Sequence, residues 1–294
     1  MRTLFLSSLL SLIACGSPGT QTGQMQIVDT PAGKLAVDVT YAGDRQPSTC
    51  VLAIHGAGYN ARYYSGGLTQ TFVGAGFTFA AVNLPGTSRN PGTAPPGDSI
   101  GLAAQSAAIH SVALHLRARC SRLAYVGHSA GAAIALLAQA EYADAQAIAV
   151  QAFSIAPYDP GVPPQVLSDL LAKEYAEYPI ALRAQFFLTL PTPTAAEVQA
   201  DIAAADHVPR ALLRDVLALF SNSAPVRAAD IRVPVYVQQS NADLLYPPVL
   251  WGYGADQIAY SGVPHCFECG QTATHQQIRS DVRGAVIRML GGAP

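Results

Sequence analysis

Near the N-terminus Lys34–Tyr41 alternates apolar and polar residues and is β-branched, and the apolar-rich Met25–Asp29 precedes it. Met25–Asp29 and Lys34–Tyr41 therefore read as strands, with a Pro-Ala-Gly turn between them. The pattern then changes to short continuous apolar runs at Cys50–Ile54, Phe77–Val82, a segment opening at Leu123, and Ala147–Ile155. Such runs suit strands buried on both faces of a parallel sheet. Helix-like stretches lie between them: one to about Val73, one from about Ser99 to Arg119, and one to about Tyr142. This alternation predicts a parallel, doubly wound α/β sheet with helices on both faces. The rhythm breaks after Pro157. Gln165–Tyr175, Ala195–Ala205 and Val208–Phe220 read as helices, and no strand alternation is evident. That segment reads as a helical insertion able to cap a site; the plainer alternative is a set of surface helices. Strands resume at Val233–Gln239 and Gln257–Ser261, and a helix near Thr272–Leu290 closes the chain. The expected division is a core of residues 25–157 plus 229–294 and a cap of residues 158–228.

Composition sharpens this picture in two ways. Half of the 294 residues are apolar and 12% are charged, so a large core is available and a disordered chain is excluded. The net charge is −2 with no block of Lys or Arg, so no nucleic-acid partner is expected. The first residues stand apart. Arg2 precedes the apolar run Leu4–Ala14, which is shorter than the roughly 20 residues needed to span a bilayer. Leu12-Ile13-Ala14-Cys15-Gly16 resembles the lipobox of bacterial lipoprotein signal peptides. That resemblance implies a signal peptide over 1–14, lipidation of Cys15, a tether over 15–24, and a lipid-anchored place in the bacterial cell envelope. An ordinary secretory signal or a cytosolic start are the alternatives.

Four cysteines remain after Cys15. An exported chain would pair them. Cys266 and Cys269 have Cys-x-x-Cys spacing, but no second pair or spaced histidines complete a zinc site. A structural disulfide is favoured. Cys50 and Cys120 each precede or begin a strand, so neighbouring parallel strands would bring them to one sheet edge. Sequence alone leaves the connectivity open.

The candidate chemistry centres on Gly127-His128-Ser129-Ala130-Gly131, between an apolar run and an Ala/Leu-rich helical run. Strand, sharp turn and helix with Ser at the turn is the arrangement of a nucleophile elbow. Gly127 and Gly131 remove side chains that would collide with the neighbouring strand and helix. The following helix aims N–H groups at the position of an oxyanion. A serine nucleophile needs a base, and the base an orienting acid. Active-site residues of open parallel sheets lie at the carboxyl ends of strands. Asp243 follows Val233–Gln239 and His265 follows Gln257–Ser261, giving the order Ser129, Asp243, His265. Asp159, after Ala147–Ile155, remains an alternative acid or a plain turn residue, and His275 is the rival base.

From about Met25 onward the chain resembles α/β-hydrolase fold proteins with a helical cap. The elbow carries the resemblance, together with His55-Gly56-Ala57-Gly58, Asn83-Leu84-Pro85-Gly86, Asp243 with Tyr246-Pro247, and Gly262-Val263-Pro264-His265. Asn83 stands where many members have Asp. The resemblance implies a mostly parallel, doubly wound sheet of about eight strands. It also implies Ser129 as nucleophile, His265 as general base then acid, and Asp243 as the residue fixing the His tautomer. The oxyanion would be held by the N–H of Ala130 and that of Ala57, with Gly58 as competitor. His128 is the elbow's variable residue, and His55 supports its loop.

Serine at the elbow argues against the carboxylate-nucleophile branches. The implied reaction is acyl-enzyme hydrolysis of an ester, with thioester, lactone or amide as alternatives. Phe153, Tyr158, Phe186, Phe187, Leu188 and Leu190 suggest an apolar acyl pocket, or simply the cap's own core. The expected partner is a small apolar acyl substrate, with no cofactor and no metal. A binding lipoprotein on a hydrolase scaffold is the reading from another class; reaction with a fluorophosphonate at Ser129 separates the two.

Overall fold

The computed structural model describes residues 23–42, 49–65, 67–153, 159, 161–188, 193–220, 230–245 and 256–292. The expectations for residues 1–14, Cys15, Tyr158, Leu190 and Tyr246-Pro247 lie outside them, as does the side chain of Phe186.

The two N-terminal segments form the hairpin β1 (Gly23–Thr30) and β2 (Gly33–Thr40). The apolar runs form β3 (Thr49–Ile54), β4 (Thr78–Val82), β5 (Arg122–His128) and β6 (Ala147–Gln151). Between them lie α1 (Gly67–Val73), α2 (Leu102–Arg117) and α3 (Ala130–Tyr142). The stretch before α1 forms a separate 3-10 turn, Ala61–Tyr64, because the Asn60 side chain caps it at Arg62 N. Next come α4 (Pro164–Leu171), β7 (Tyr175–Ala176), α5 (Ile180–Phe186), α6 (Ala195–Ala204), β8 (Val208–Pro209) and α7 (Arg210–Phe220). The chain returns to the sheet with β9 (Val235–Ser240) and β10 (Asp256–Tyr260) and ends in α8 (Ala273–Met289).

Eight strands form one sheet in the order β1-β2-β4-β3-β5-β6-β9-β10. Only the hairpin and its junction with β4 are antiparallel; the pairs from β4 to β10 are parallel. This is the α/β-hydrolase fold. Alternate strand residues serve opposite faces. Leu52, Ile54 and Tyr125 pack with Ile109, Val112 and Ile134 of α2 and α3. Val51, Ala53 and Val126 pack with Phe72, Val282 and Val286 of α1 and α8. Burial on both sides is why these strands read as unbroken apolar runs.

Two details of the insertion between β6 and β9 differ from the sequence reading. α4 stops at Leu171 because Tyr175 and Ala176 leave to pair with Pro209 and Val208, a ladder too short to show alternation. α5 is an additional helix, opened after Pro179. Proline before a helical run is the start signal that marks it. α6 carries a capping box: Thr194 Oγ1 accepts from Glu197 N, and Glu197 accepts from Thr194 N at 2.7 Å.

Both cysteine pairs are disulfides, Cys50–Cys120 and Cys266–Cys269, with Cα separations of 5.8 and 5.5 Å. β3 and β5 are parallel neighbours, so Cys50 and Cys120 meet at their amino ends. The first bridge closes a separation of 70 residues. Replacing Cys50 and Cys120 together by Ala is expected to lower the unfolding free energy by about 2–5 kcal/mol in urea titrations. A change below ~1 kcal/mol would show that packing alone holds that edge.

Candidate active site

Ser129 lies between the last residue of β5 and the first of α3, at φ 53° and ψ −126°. A non-glycine residue adopts such a backbone only where its surroundings impose it. Here they do. A Cβ on Gly131 would run into the carbonyl oxygens of Ile54 and His55, and one on Gly127 would come within 2.6 Å of Ala132 Cα. A Cβ on Gly56 would come within 2.9 Å of Ser129 Cβ. The two strand ends and the helix are thus packed at a distance only glycine permits.

Asp243 and His265, brought from the ends of β9 and β10, meet beside this turn. Asp243 Oδ2 and His265 Nδ1 are 2.9 Å apart, with both side chains fully buried. Leu245 N donates to Asp243 Oδ1 at 2.9 Å, which orients the carboxylate. Phe187 borders both residues' surroundings: its ring lies 5.3 Å from that of His265, and it lines the same cavity as Ser129. The alternatives lie elsewhere. Asp159 is exposed and accepts from Gly161 N, as a turn residue does. His275 sits in α8 with Nδ1 on Thr272 Oγ1 at 2.7 Å.

His128 does more than fill the elbow's variable position. Its Nε2 donates to the backbone carbonyl of His265 at 2.8 Å. A carbonyl only accepts, so the proton sits on Nε2. Burial and the neighbouring His265 push its pKa well below 6.5, so the ring stays neutral. The bond joins residues 137 positions apart, and no local pattern could announce it.

His55 organises the loop after β3. Its Nε2 accepts from Leu84 N at 3.2 Å, so Nδ1 carries the proton and donates to Gly56 O at 2.9 Å. The Gly56–Ala57 peptide is planar and trans, so the Ala57 N–H points away from that carbonyl. Ala57 lines the cavity with Ser129. Ala130, at the start of α3, has no acceptor for its N–H within the helix. Gly58 adopts φ +78°, and a Cβ there would meet Tyr178 of the insertion, which lines the same cavity. Asn83 braces the same loop, accepting from Ala61 N at 3.1 Å and donating to Ala36 O at 2.9 Å. An ionised Asp could make only the first bond.

The cavity over Ser129 is narrow, about 60 Å³, and its wall is apolar. Leu167, Tyr178, Leu182, Phe187, Leu213 and Val216 come from the insertion, with Leu245 from the core. Phe153 packs instead in the core with Val150 and Val237. Leu188 borders a separate groove beside Cys266.

The segment after His265 is fastened three ways: by Cys266–Cys269, by Arg279 Nε on Glu268 Oε2 at 2.9 Å, and by Arg279 Nη2 on Gly270 O at 2.7 Å. Burial pushes the Glu268 carboxyl up to about 7, against the pull of Arg279. Among the described residues one His/Cys/Asp/Glu group has metal-like spacing, Asp201 with Cys266 and Cys269. Its sulfurs are bonded to each other, and Asp201 is held by Arg183 and Tyr59. The remaining histidines are structural: His110 meets Asp144, His115 meets Gln26, and His207 meets Glu177.

The family model described as alpha/beta hydrolase family matches residues 51–282. No curated protein sequence matches the chain. Among solved structures, a carboxylesterase from the thaumarchaeon Nitrososphaera gargenis is 14% identical with a TM-score of 0.69, covering 90% of this chain and 99% of that one. An esterase from Exiguobacterium antarcticum is 12% identical with a TM-score of 0.59, covering 90% and 98%. An epoxide hydrolase from an endophytic Streptomyces is 16% identical with a TM-score of 0.61, covering 92% and 97%. Likeness at this identity shows the fold.

Burial lowers the His55 pKa from 6.5 to about 4, outweighing its bond to Gly56 and the charge of Asp206. Between those pH values the unfolded chain binds a proton at His55 and the folded chain does not. Stability therefore falls as pH falls through that window, by about 3 kcal/mol in total from this group. Chemical denaturation of His55→Asn at pH 7 and pH 4.5 is expected to show a shallower loss than wild type. Equal slopes would mean that His55 is already protonated in the fold.

Proposed function

This chain belongs to the alpha/beta hydrolase family, and we propose that within it the protein is a serine hydrolase cleaving carboxylic esters of small apolar acyl groups. The observation that carries this reading is the buried pair of Asp243 and His265, 2.9 Å apart, beside a strained Ser129 that opens on an apolar cavity.

In this reading Ser129 Oγ attacks the ester carbonyl carbon while His265 Nε2 takes its proton. Asp243 holds the other imidazole proton on Nδ1, so the Nε2 lone pair serves as the base. The carbonyl oxygen becomes an oxyanion, accepted by the N–H groups of Ala130 and Ala57. Each such donor is worth about 3 kcal/mol of barrier. Collapse breaks the bond to the alkoxy oxygen, which leaves as the alcohol with the proton from His265. Water then gives a proton to His265 and attacks the acyl-enzyme. The acid departs and Ser129 regains its proton. Serine at the elbow favours this chemistry over that of the epoxide hydrolases that share the fold.

We further infer export and lipid anchoring through Cys15. The lipobox-like Leu12–Gly16 supports this, and so does the use of all four later cysteines in disulfides, which persist in oxidising compartments.

Hydrolysis of p-nitrophenyl acetate, butyrate and palmitate by the chain beginning after Cys15, beside Ser129→Ala, tests the chemistry. The expected result is activity on the short esters, because the cavity is narrow, and loss by at least ~10³-fold in the variant. Undiminished activity in Ser129→Ala would remove the serine mechanism. Fluorophosphonate labelling without ester hydrolysis would move the substrate to an amide, thioester or lactone.

A further inference from the structure

The insertion contributes a buried ion pair that touches the loop of Ala57 and takes no part in the chemistry above. Arg183 of α5 and Asp201 of α6 are 4% and 1% exposed. Arg183 Nε donates to Asp201 Oδ2 at 2.7 Å and Nη2 to Oδ1 at 2.8 Å. A bidentate fork of this kind fixes the guanidinium plane. The remaining nitrogen, Nη1, then points at the Gly58 carbonyl and donates to it at 3.0 Å. The Tyr59 hydroxyl donates to Asp201 Oδ1 at 2.8 Å, and the guanidinium carbon lies 4.7 Å from the Tyr59 ring centre and 5.0 Å from that of Phe187. Ionic groups buried this deeply are costly to retain, and hydrophobic replacements are often as stable. Their retention calls for a reason other than stability.

The geometry points to one. We propose that Arg183 and Asp201 are positioning residues for the oxyanion donor Ala57, acting through two peptide planes; this rests on the ester-hydrolase reading above. Arg183 holds the Gly58 carbonyl, so the Tyr59 N–H of the same planar peptide points the opposite way. It donates to Gly56 O at 3.3 Å. Gly56 O, also held by His55 Nδ1, shares its plane with the Ala57 N–H, so these bonds fix the direction of that N–H beside the cavity that Ala57 and Ser129 both line. Three other bonds from the insertion clamp the same segment. Asp206 N donates to Gly58 O at 3.0 Å, Asn60 N donates to Ala204 O at 2.9 Å, and Asn60 Nδ2 donates to Asp206 Oδ2 at 3.1 Å. The insertion is therefore part of the oxyanion site and not a detachable lid.

The test compares wild type with Arg183→Lys and with the double variant Arg183→Met/Asp201→Leu, which leaves no lone buried charge. Melting temperature, kcat and KM on p-nitrophenyl butyrate, and Ki of a trifluoromethyl ketone are measured. Ser129 Oγ adds to the ketone carbon, its proton passes to His265, and the former carbonyl oxygen carries the negative charge. A misdirected Ala57 N–H should lower kcat by about 10–100-fold, raise the ketone Ki by the same factor, and leave KM within about twofold. If the double variant does not fold, Arg183→Lys, which keeps the charge but loses the fork, reads the same split. A kcat within about threefold of wild type, or a loss that only follows the folded fraction, overturns the proposal. If wild type is neither labelled by a fluorophosphonate at Ser129 nor active, the ester-hydrolase reading has failed and this inference falls with it. Labelled, active wild type with unaffected variants overturns this inference alone.

Discussion

The backbone of Ser129 is held at a positive φ by close contact among the ends of β3 and β5 and the start of α3. That conformation is unfavourable by itself and persists only because its neighbours leave no alternative. Everything around it serves the contact. The glycines at 56, 127 and 131 let the three backbones approach. The continuous apolar strands fasten the sheet from both faces. Because Ser129 occupies the joint between strand and helix, its side chain stands clear of both, at the sheet edge where Asp243 and His265 also emerge.

The features that the amino-acid pattern revealed and those it hid divide along a physical line. Strands buried on both faces announce themselves as apolar runs, so the strands were legible, although β6 ends at Gln151 where the apolar run was read on to Ile155. The Gly-x-Ser-x-Gly turn was legible because its steric demand is local. The meeting of Asp243 and His265 was legible because residues that follow neighbouring parallel strands emerge at one sheet edge. Interactions between distant segments left no trace. His128 reaching the carbonyl of His265 is one case. Arg183 pairing with Asp201 is another, since charged residues on short helices resemble an ordinary solvated face. The two-residue ladder of β7 and β8 is too small for any periodicity to register. Phe153, an aromatic near the insertion, packs in the core instead.

The elements that surround the serine are bound to one another more tightly than a core-plus-lid description suggests. The carbonyl of Phe187 accepts from Cys266 N at 3.0 Å, so the insertion holds the segment that carries His265 as well as the loop that carries Ala57. Both sides of the site are thus set by residues from one excursion of the chain.

The bridge between Cys50 and Cys120 lies at the amino ends of β3 and β5, the far end of the sheet from Ser129. Two central strands are thereby sewn together at one end and left to non-covalent forces at the other. The two ends of this strand pair are therefore fastened by different means. The amino ends are held by a covalent bond, and the carboxyl ends by the close backbone packing that Gly56, Gly127 and Gly131 permit around Ser129. Reducing conditions would therefore release one end of the pair and leave the packing at the other in place.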